Sequence, residues 1–277
     1  MSLFTSCHSN TSLAQPATST PTLSEETQLN ISYGPDSLQR MDVYLPAGRS
    51  AATTASLVLI HGGGWNSGSK SDFASYIDSF RHRLPDYAIF NLDYRLVSNQ
   101  HLFPTQEQDV KAALDFISAQ SAAFGINKHR VALLGASAGA HLALLQAYKY
   151  SEPRVKAVID FFGPTDLTEM YQRPWHHMIP YLLQTLTGTT PAAQAEVYRQ
   201  SSPAHFVTAG SAPTLILHGS SDPIVSLSQS QLLQKRLQKA GVPHELVVYP
   251  NERHGWRGAT LHHSFDRIEG FLKTHLP

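Results

Sequence analysis

A serine between small residues, a run of three glycines, and a carboxylate and histidine that follow in that order are the residues whose types and spacing suit a chemistry. Gly135-Ala136-Ser137-Ala138-Gly139 comes directly after the apolar Val131-Ala-Leu-Leu134 and directly before Ala140-His-Leu-Ala-Leu-Leu145. Strand, tight turn and helix is the context in which a turn lifts a serine hydroxyl above a sheet, and the helix N-terminus favours negative charge developing there. A hydroxyl is a weak nucleophile until a base takes its proton, and the base must itself be oriented by a third group. Asp222, in His218-Gly-Ser-Ser-Asp-Pro223, lies just past the apolar Leu215-Ile-Leu217, and His254, in Tyr249-Pro-Asn-Glu-Arg-His-Gly255, lies just past Leu246-Val-Val248. Asp160 and Asp166 are rival carboxylates that follow an earlier strand, but no comparable turn presents them. His61-Gly62-Gly63-Gly64-Trp65 follows the strand Ser56-Leu-Val-Leu-Ile60. Glycines leave backbone N–H groups unscreened, so several can point at one oxygen. The run lacks the Gly-Lys-Ser/Thr ending of a phosphate loop and the Gly-x-Gly-x-x-Gly dinucleotide spacing.

These residues must be held by an open α/β sheet, because each follows a β-rich run. Strands are expected at 29–33, 41–45, 56–60, 87–91, 130–134, 155–161, 213–218 and 245–249. Helical periodicity falls between them at 71–83, 106–123, 138–150, 228–240 and 261–274. Alternation of this kind predicts a mostly parallel sheet covered by helices on both faces. The first two strands, joined through Gly34-Pro35-Asp36, should form an antiparallel hairpin at one edge. In such sheets the sites sit at the C-terminal ends of the strands. One connection is out of proportion: residues 164–210 exceed any ordinary loop between a helix and a strand, and are read as a small helical cap insertion. Its Trp175 and Tyr181, together with Trp65, are the expected substrate contacts. His61, His141 and His218 are expected to brace loops by hydrogen bonding.

Composition narrows the choices. Lys plus Arg equals Asp plus Glu, 21 against 21, so the chain offers no basic field for nucleic acid. Cys7 is the only cysteine, which excludes an internal disulfide and a cysteine-based zinc cluster. None of the 15 histidines forms a His-Glu-x-x-His pair, and no apolar run reaches the roughly 18 residues of a membrane span. Residues 1–28, rich in Ser, Thr, Pro and Gln, are expected to be a disordered polar leader to a domain at 29–277. Phe4-Thr5-Ser6-Cys7 resembles the end of a bacterial lipoprotein signal without its basic and apolar parts. A tether at Cys7 outside the cytoplasm, or an incidental cysteine in a cytoplasmic protein, are the two readings.

His61-Gly-Gly-Gly-Trp65, Asp93-Tyr94-Arg95, Phe103-Pro104, Gly135-Ala-Ser-Ala-Gly139, Ser202-Pro203, His218-Gly-Ser-Ser-Asp-Pro223 and His254-Gly255 together resemble α/β-hydrolase carboxylesterases. The likeness is to the branch near the hormone-sensitive-lipase-like and feruloyl-esterase-like enzymes, from about residue 29 to the end. It implies an eight-stranded, mostly parallel sheet with a catalytic triad on Ser137, Asp222 and His254. It also implies an oxyanion hole from the N–H groups of Gly63, Gly64 and Ala138. Ala136 and Ala140 depart from the Gly-Asp-Ser-Ala-Gly-Gly of the hormone-sensitive-lipase-like group, and the 164–210 insertion replaces that group's long N-terminal cap helices. The implied activity is hydrolysis of short-acyl or aryl carboxylic esters through an acyl-enzyme, with no cofactor and no metal. An arylformamidase or prolyl-oligopeptidase-like peptidase would use the same triad, and a ligand-binding module on this fold is the non-catalytic alternative.

Overall fold

The computed structural model describes residues 23–150 and 155–276. Eight strands form one sheet: β1 (Glu26–Ser32), β2 (Arg40–Leu45), β3 (Ala55–Ile60), β4 (Tyr87–Leu92), β5 (Val131–Ala136), β6 (Val155–Phe161), β7 (Thr214–Gly219) and β8 (His244–Tyr249). Their order across the sheet is β1-β2-β4-β3-β5-β6-β7-β8. β1 pairs antiparallel with β2 and β2 with β4, and every pairing from β4 through β8 is parallel. The edge hairpin and the parallel set are thus as the sequence implies.

The central strands read as continuous apolar runs because both faces are covered. On β3, Val58 and Ile60 face one core with Leu133 of β5, while Leu57 and Leu59 face the other with Ala132 and Leu134. The first core is closed by α2 (Thr105–Ala119), the short α3 (Ser121–Phe124), α4 (Ala138–Lys149) and α8 (Leu227–Ala240). The second is closed by α1 (Ile77–Arg83), the 3-10 helix Lys70–Tyr76 before it, and α9 (Gly258–His275). The fully buried Leu272 of α9 belongs to the second core, and its truncation to Ala would cost about 2–5 kcal/mol.

Three boundaries differ from the sequence reading. β1 begins at Glu26, inside the segment 1–28 assigned to the leader. An edge strand needs backbone pairing and not apolar side chains, and Thr27 and Gln28 pair with Tyr44 and Val43 while largely exposed. The expected helix 71–83 is a 3-10 segment, capped reciprocally by Ser69 and Asp72, that passes into α1. The expected helix 106–123 breaks at Gln120. Cys7 lies outside the described residues, and no helix among those described is long and apolar enough to cross a membrane.

Residues 164–210 fold as α5 (Leu167–Gln172), α6 (Ile179–Thr187), α7 (Ala195–Gln200) and a 3-10 turn at Pro203–Phe206. The segment is tied down at both ends. Thr165 and Asp166 donate their backbone N–H groups to Gln229 Oε1 at 2.9 and 2.8 Å, and Ser202 Oγ accepts from Leu167 N at 2.9 Å.

Candidate active site

Ser137 is the N-cap of α4 and sits at φ 54°, ψ −118°, a backbone conformation that costs energy for any residue with a Cβ. The surroundings enforce it. A Cβ on Gly139 would lie 2.0 Å from the Ile60 carbonyl oxygen and 2.4 Å from that of His61, so only glycine lets the first turn of α4 press against the end of β3. That contact sets Ser137 and Ala138 beside the glycine run. Ser137 N also donates to Phe161 O at 2.8 Å, which fixes the turn to β6.

A second close approach joins the loops that follow β7 and β8. A Cβ on Gly219 would lie 2.3 Å from Arg253 O and 2.4 Å from Glu252 O, so a side chain there would push the two loops apart. Without one, Ser220 N donates to Tyr249 O and Ser221 N to Glu252 O, each at 2.9 Å. The result stacks the turn carrying His254 on the turn carrying Asp222.

The three residues singled out by order meet in one hydrogen-bonded line. His254 Nδ1 donates to Asp222 Oδ2 at 2.7 Å, and His254 Nε2 is 2.9 Å from Ser137 Oγ, where it accepts the serine proton. The carboxylate decides the tautomer, since only a protonated Nδ1 can face it. Asp222 is shielded from solvent, yet it remains charged. Burial raises its pKa and is the largest single influence, but hydrogen bonds from His218 and His254, the His254 charge and the Val225 N–H together outweigh it and hold the group well below the usual carboxylate range. Its other oxygen, Oδ1, accepts from Ile224 N at 2.7 Å and Val225 N at 3.0 Å. The rivals make no such contact: Asp160 Oδ1 accepts from Gly163 N at 2.7 Å, and Asp166 caps α5 and faces His205.

The glycine run is braced from below. His61 Nδ1 donates to Gly62 O at 2.8 Å, its ring stacks on Tyr94 at 4.2 Å, and Tyr94 Oη donates to His61 O at 3.1 Å. Trp65 Nε1 donates to His141 Nδ1 at 3.2 Å, and His141 Nε2 donates to Ser201 O at 2.7 Å. His141 therefore links the glycine run, α4 and the end of the insertion, and burial pushes its pKa down to about 4. His61, His141 and His218 all act as loop braces. Among the described residues, none accepts a hydrogen bond from the backbone N–H of Gly63, Gly64 or Ala138.

Ser137 and His254 open onto a cleft of ≈ 460 Å³ walled by the glycine run, Phe162, Met170, Ile179, Leu182 and Ile224. Of the expected substrate contacts, Trp65 is part of this wall but is 1% exposed and held by His141. Trp175 and Tyr181 are not in it. Trp175 Nε1 bonds Pro223 O at 3.3 Å, and Tyr181 is 66% exposed. The reason is helical phase: on α6, Ile179 and Leu182 face the cleft, which turns Tyr181 outward. Phe162, which sequence reasoning missed, has a φ of 46° and places its ring 4.4 Å from the His254 ring. Nothing local in Phe161-Phe162-Gly163 signals that conformation.

The BD-FAE family model matches residues 41–237. Esterase LipC of Mycobacterium tuberculosis is 27% identical over 239 residues, 81% of this chain and 58% of that protein, so the chain spans less than two thirds of LipC's length. Ethyl acetate hydrolase of Pseudomonas putida is 29% identical over 226 residues, 76% of this chain and 68% of that protein. A truncated carbohydrate esterase from gut microbiota shares the fold, with a TM-score of 0.79 at 23% identity over 90% of this chain and 96% of that one.

Proposed function

Since the chain belongs to the BD-FAE family of the α/β-hydrolase fold, we propose that it is a serine carboxylesterase acting on short-acyl or aryl esters. The observation that carries this reading is the line Asp222–His254–Ser137, with hydrogen bonds of 2.7 and 2.9 Å ending on a serine held in a strained turn. The relatives named as an esterase and an ethyl acetate hydrolase support the same bond class.

Ser137 Oγ attacks the ester carbonyl as His254 Nε2 takes its proton. Asp222 keeps the imidazole in the tautomer that can accept it and stabilises the imidazolium that results. The oxygen of the tetrahedral intermediate collects its charge between the N–H groups of Gly63, Gly64 and Ala138, each worth about 3 kcal/mol to the transition state by comparison with oxyanion donors elsewhere. His254 returns the proton to the departing alkoxide, leaving Ser137 acylated. It then deprotonates a water that attacks the acyl carbonyl, and gives that proton to Ser137 Oγ as the Oγ–acyl bond breaks, which releases the carboxylic acid and restores the free serine.

Met170, Ile179 and Leu182 close the cleft from the insertion, which supports a preference for small acyl groups. The test is hydrolysis of p-nitrophenyl acetate, butyrate and decanoate by the wild type and by Ser137→Ala. The wild type should favour the two shorter esters and the variant should be inactive. A variant that keeps more than a few per cent of the wild-type rate would remove Ser137 from the reaction, and a decanoate preference would mean that the insertion does not limit the cleft.

A further inference from the structure

Asp222 Oδ2 meets a second imidazole besides that of His254. His218 Nε2 lies 3.3 Å from the same oxygen and 2.9 Å from Val225 O. Both of these neighbours are acceptors, so Nε2 carries a proton and is shared between them. The other ring nitrogen, Nδ1, is 2.7 Å from Ser230 Oγ on α8. Both side chains are fully buried, and the Phe162 ring, 6.4 Å away, stands edge-on to the imidazole. His218 thus has every polar atom occupied and no freedom to turn.

We infer that His218 is a positioning residue for the proposed triad: it fixes the Asp222 carboxylate so that Oδ2 points at His254 Nδ1, and Ser230 fixes His218. This rests on the esterase reading above. The turn 222–225 supplies Oδ1 with two backbone donors, and because the planar carboxylate turns about the Cβ–Cγ bond as one unit, the donors at Oδ2 complete its fixing from the other side. Of those, His254 must exchange its Nε2 proton and adjust during turnover, whereas His218 does not touch the reacting atoms. It holds the carboxylate through that movement, and because it shares its proton with Val225 O it also holds the turn that carries the other two donors.

The role predicts a loss in kcat and not in KM. His218→Leu should lower kcat about 10- to 100-fold, by analogy with the outer partners that orient metal-ligating side chains, with KM near the wild-type value. His218→Gln, whose amide N–H reaches about as far as Nε2, should recover most of the loss. In the Asp222→Asn background His218→Leu should cost little further activity, because groups that act as one unit are strongly non-additive. A merely structural histidine would give losses that multiply, and no rescue by Gln. If His218→Leu does not fold, Ser230→Ala carries the test with the same two readouts. A folded variant with wild-type kcat, or losses that multiply with Asp222→Asn, would overturn the inference. Full activity in Ser137→Ala would sink the esterase reading instead, so the two failures are distinguishable.

Discussion

Asp160 and Asp222 follow the same local recipe and come out opposite. Each stands at or just beyond the C-terminal end of a parallel strand, Asp160 in β6 and Asp222 after β7, and each side chain is shut off from solvent. Asp222 is met by two backbone N–H groups and two imidazoles, whereas Asp160 receives one N–H, from Gly163. Its Oδ2 is buried with no partner among the described residues. Burial pushes Asp160 up to about 7 against the opposing Gly163 bond and His218 charge, while the donors around the less deeply set Asp222 outweigh its burial. The difference shows that the number of donors, weighed against depth, decides whether a carboxylate at this rim stays charged.

The sharpest way to break that comparison is to neutralise each carboxylate in turn. Asp222→Asn should lower kcat by about 10⁴, the cost of the wrong imidazole tautomer in the serine-protease template, while Asp160→Asn should leave the rate near wild type. Steady-state rates on p-nitrophenyl acetate check both. A large loss in Asp160→Asn with Asp222→Asn near normal would exchange their roles.

A smaller effect, on stability, should separate the two by sign. A carboxyl whose folded pKa is raised makes a contribution that is fully present below its unfolded value of 3.8 and lost as pH rises through about 7. The shift corresponds to up to about 4 kcal/mol. Asp160→Asn should therefore match the wild type near pH 4 and exceed it in Tm near pH 8. Asp222 works the other way: its contribution is present above the unfolded value of 3.8 and is lost as pH falls below it. Thermal unfolding across pH 3–8 reads both limbs, and an Asp160→Asn variant no more stable than wild type at pH 8 would mean that Asp160 is not held neutral.

Why Asp222 and not Asp160 was legible in the sequence is itself physical. Chain order, a Gly-rich turn past an apolar strand and a later histidine are all local patterns, and they were enough to single out Ser137, His254 and Asp222, whose side chains the structure brings together. The eight strands were legible because a strand covered on both faces is apolar at every position, as in Ala55–Ile60. What decides direction at close range was not. The inward face of α6 depends on its phase against the sheet, so Tyr181 was chosen where Leu182 stands in the wall. The left-handed Phe162 and the bond from Trp65 to His141 join residues far apart in the chain or strained by their neighbours, and neither has a local signature. β1 was placed three residues late because an exposed edge strand is paired by its backbone and carries no apolar alternation to read.

The smallest expected effect extends the comparison to a base. His141 is as deeply buried as Asp160, but both of its ring nitrogens are satisfied in the neutral form, by the Trp65 indole and the Ser201 carbonyl. Burial disfavours the charge and, helped by the nearby Lys149 cation, outweighs the Ser201 carbonyl that favours it, so its pKa falls from 6.5 to about 4. For a depressed base the contribution is fully present above the unfolded value near 6.5 and is lost as pH falls toward about 4, a change of about 3 kcal/mol. His141→Gln can still donate to Ser201 O and accept from Trp65 but has no proton to take up, so it should lack this acid limb. The Tm difference between wild type and His141→Gln should then shrink steadily from pH 7 to pH 4, even if the glutamine packs less well throughout. A difference that stays constant over that range would mean that His141 titrates alike in the folded and unfolded chain, and burial would not be what keeps it neutral.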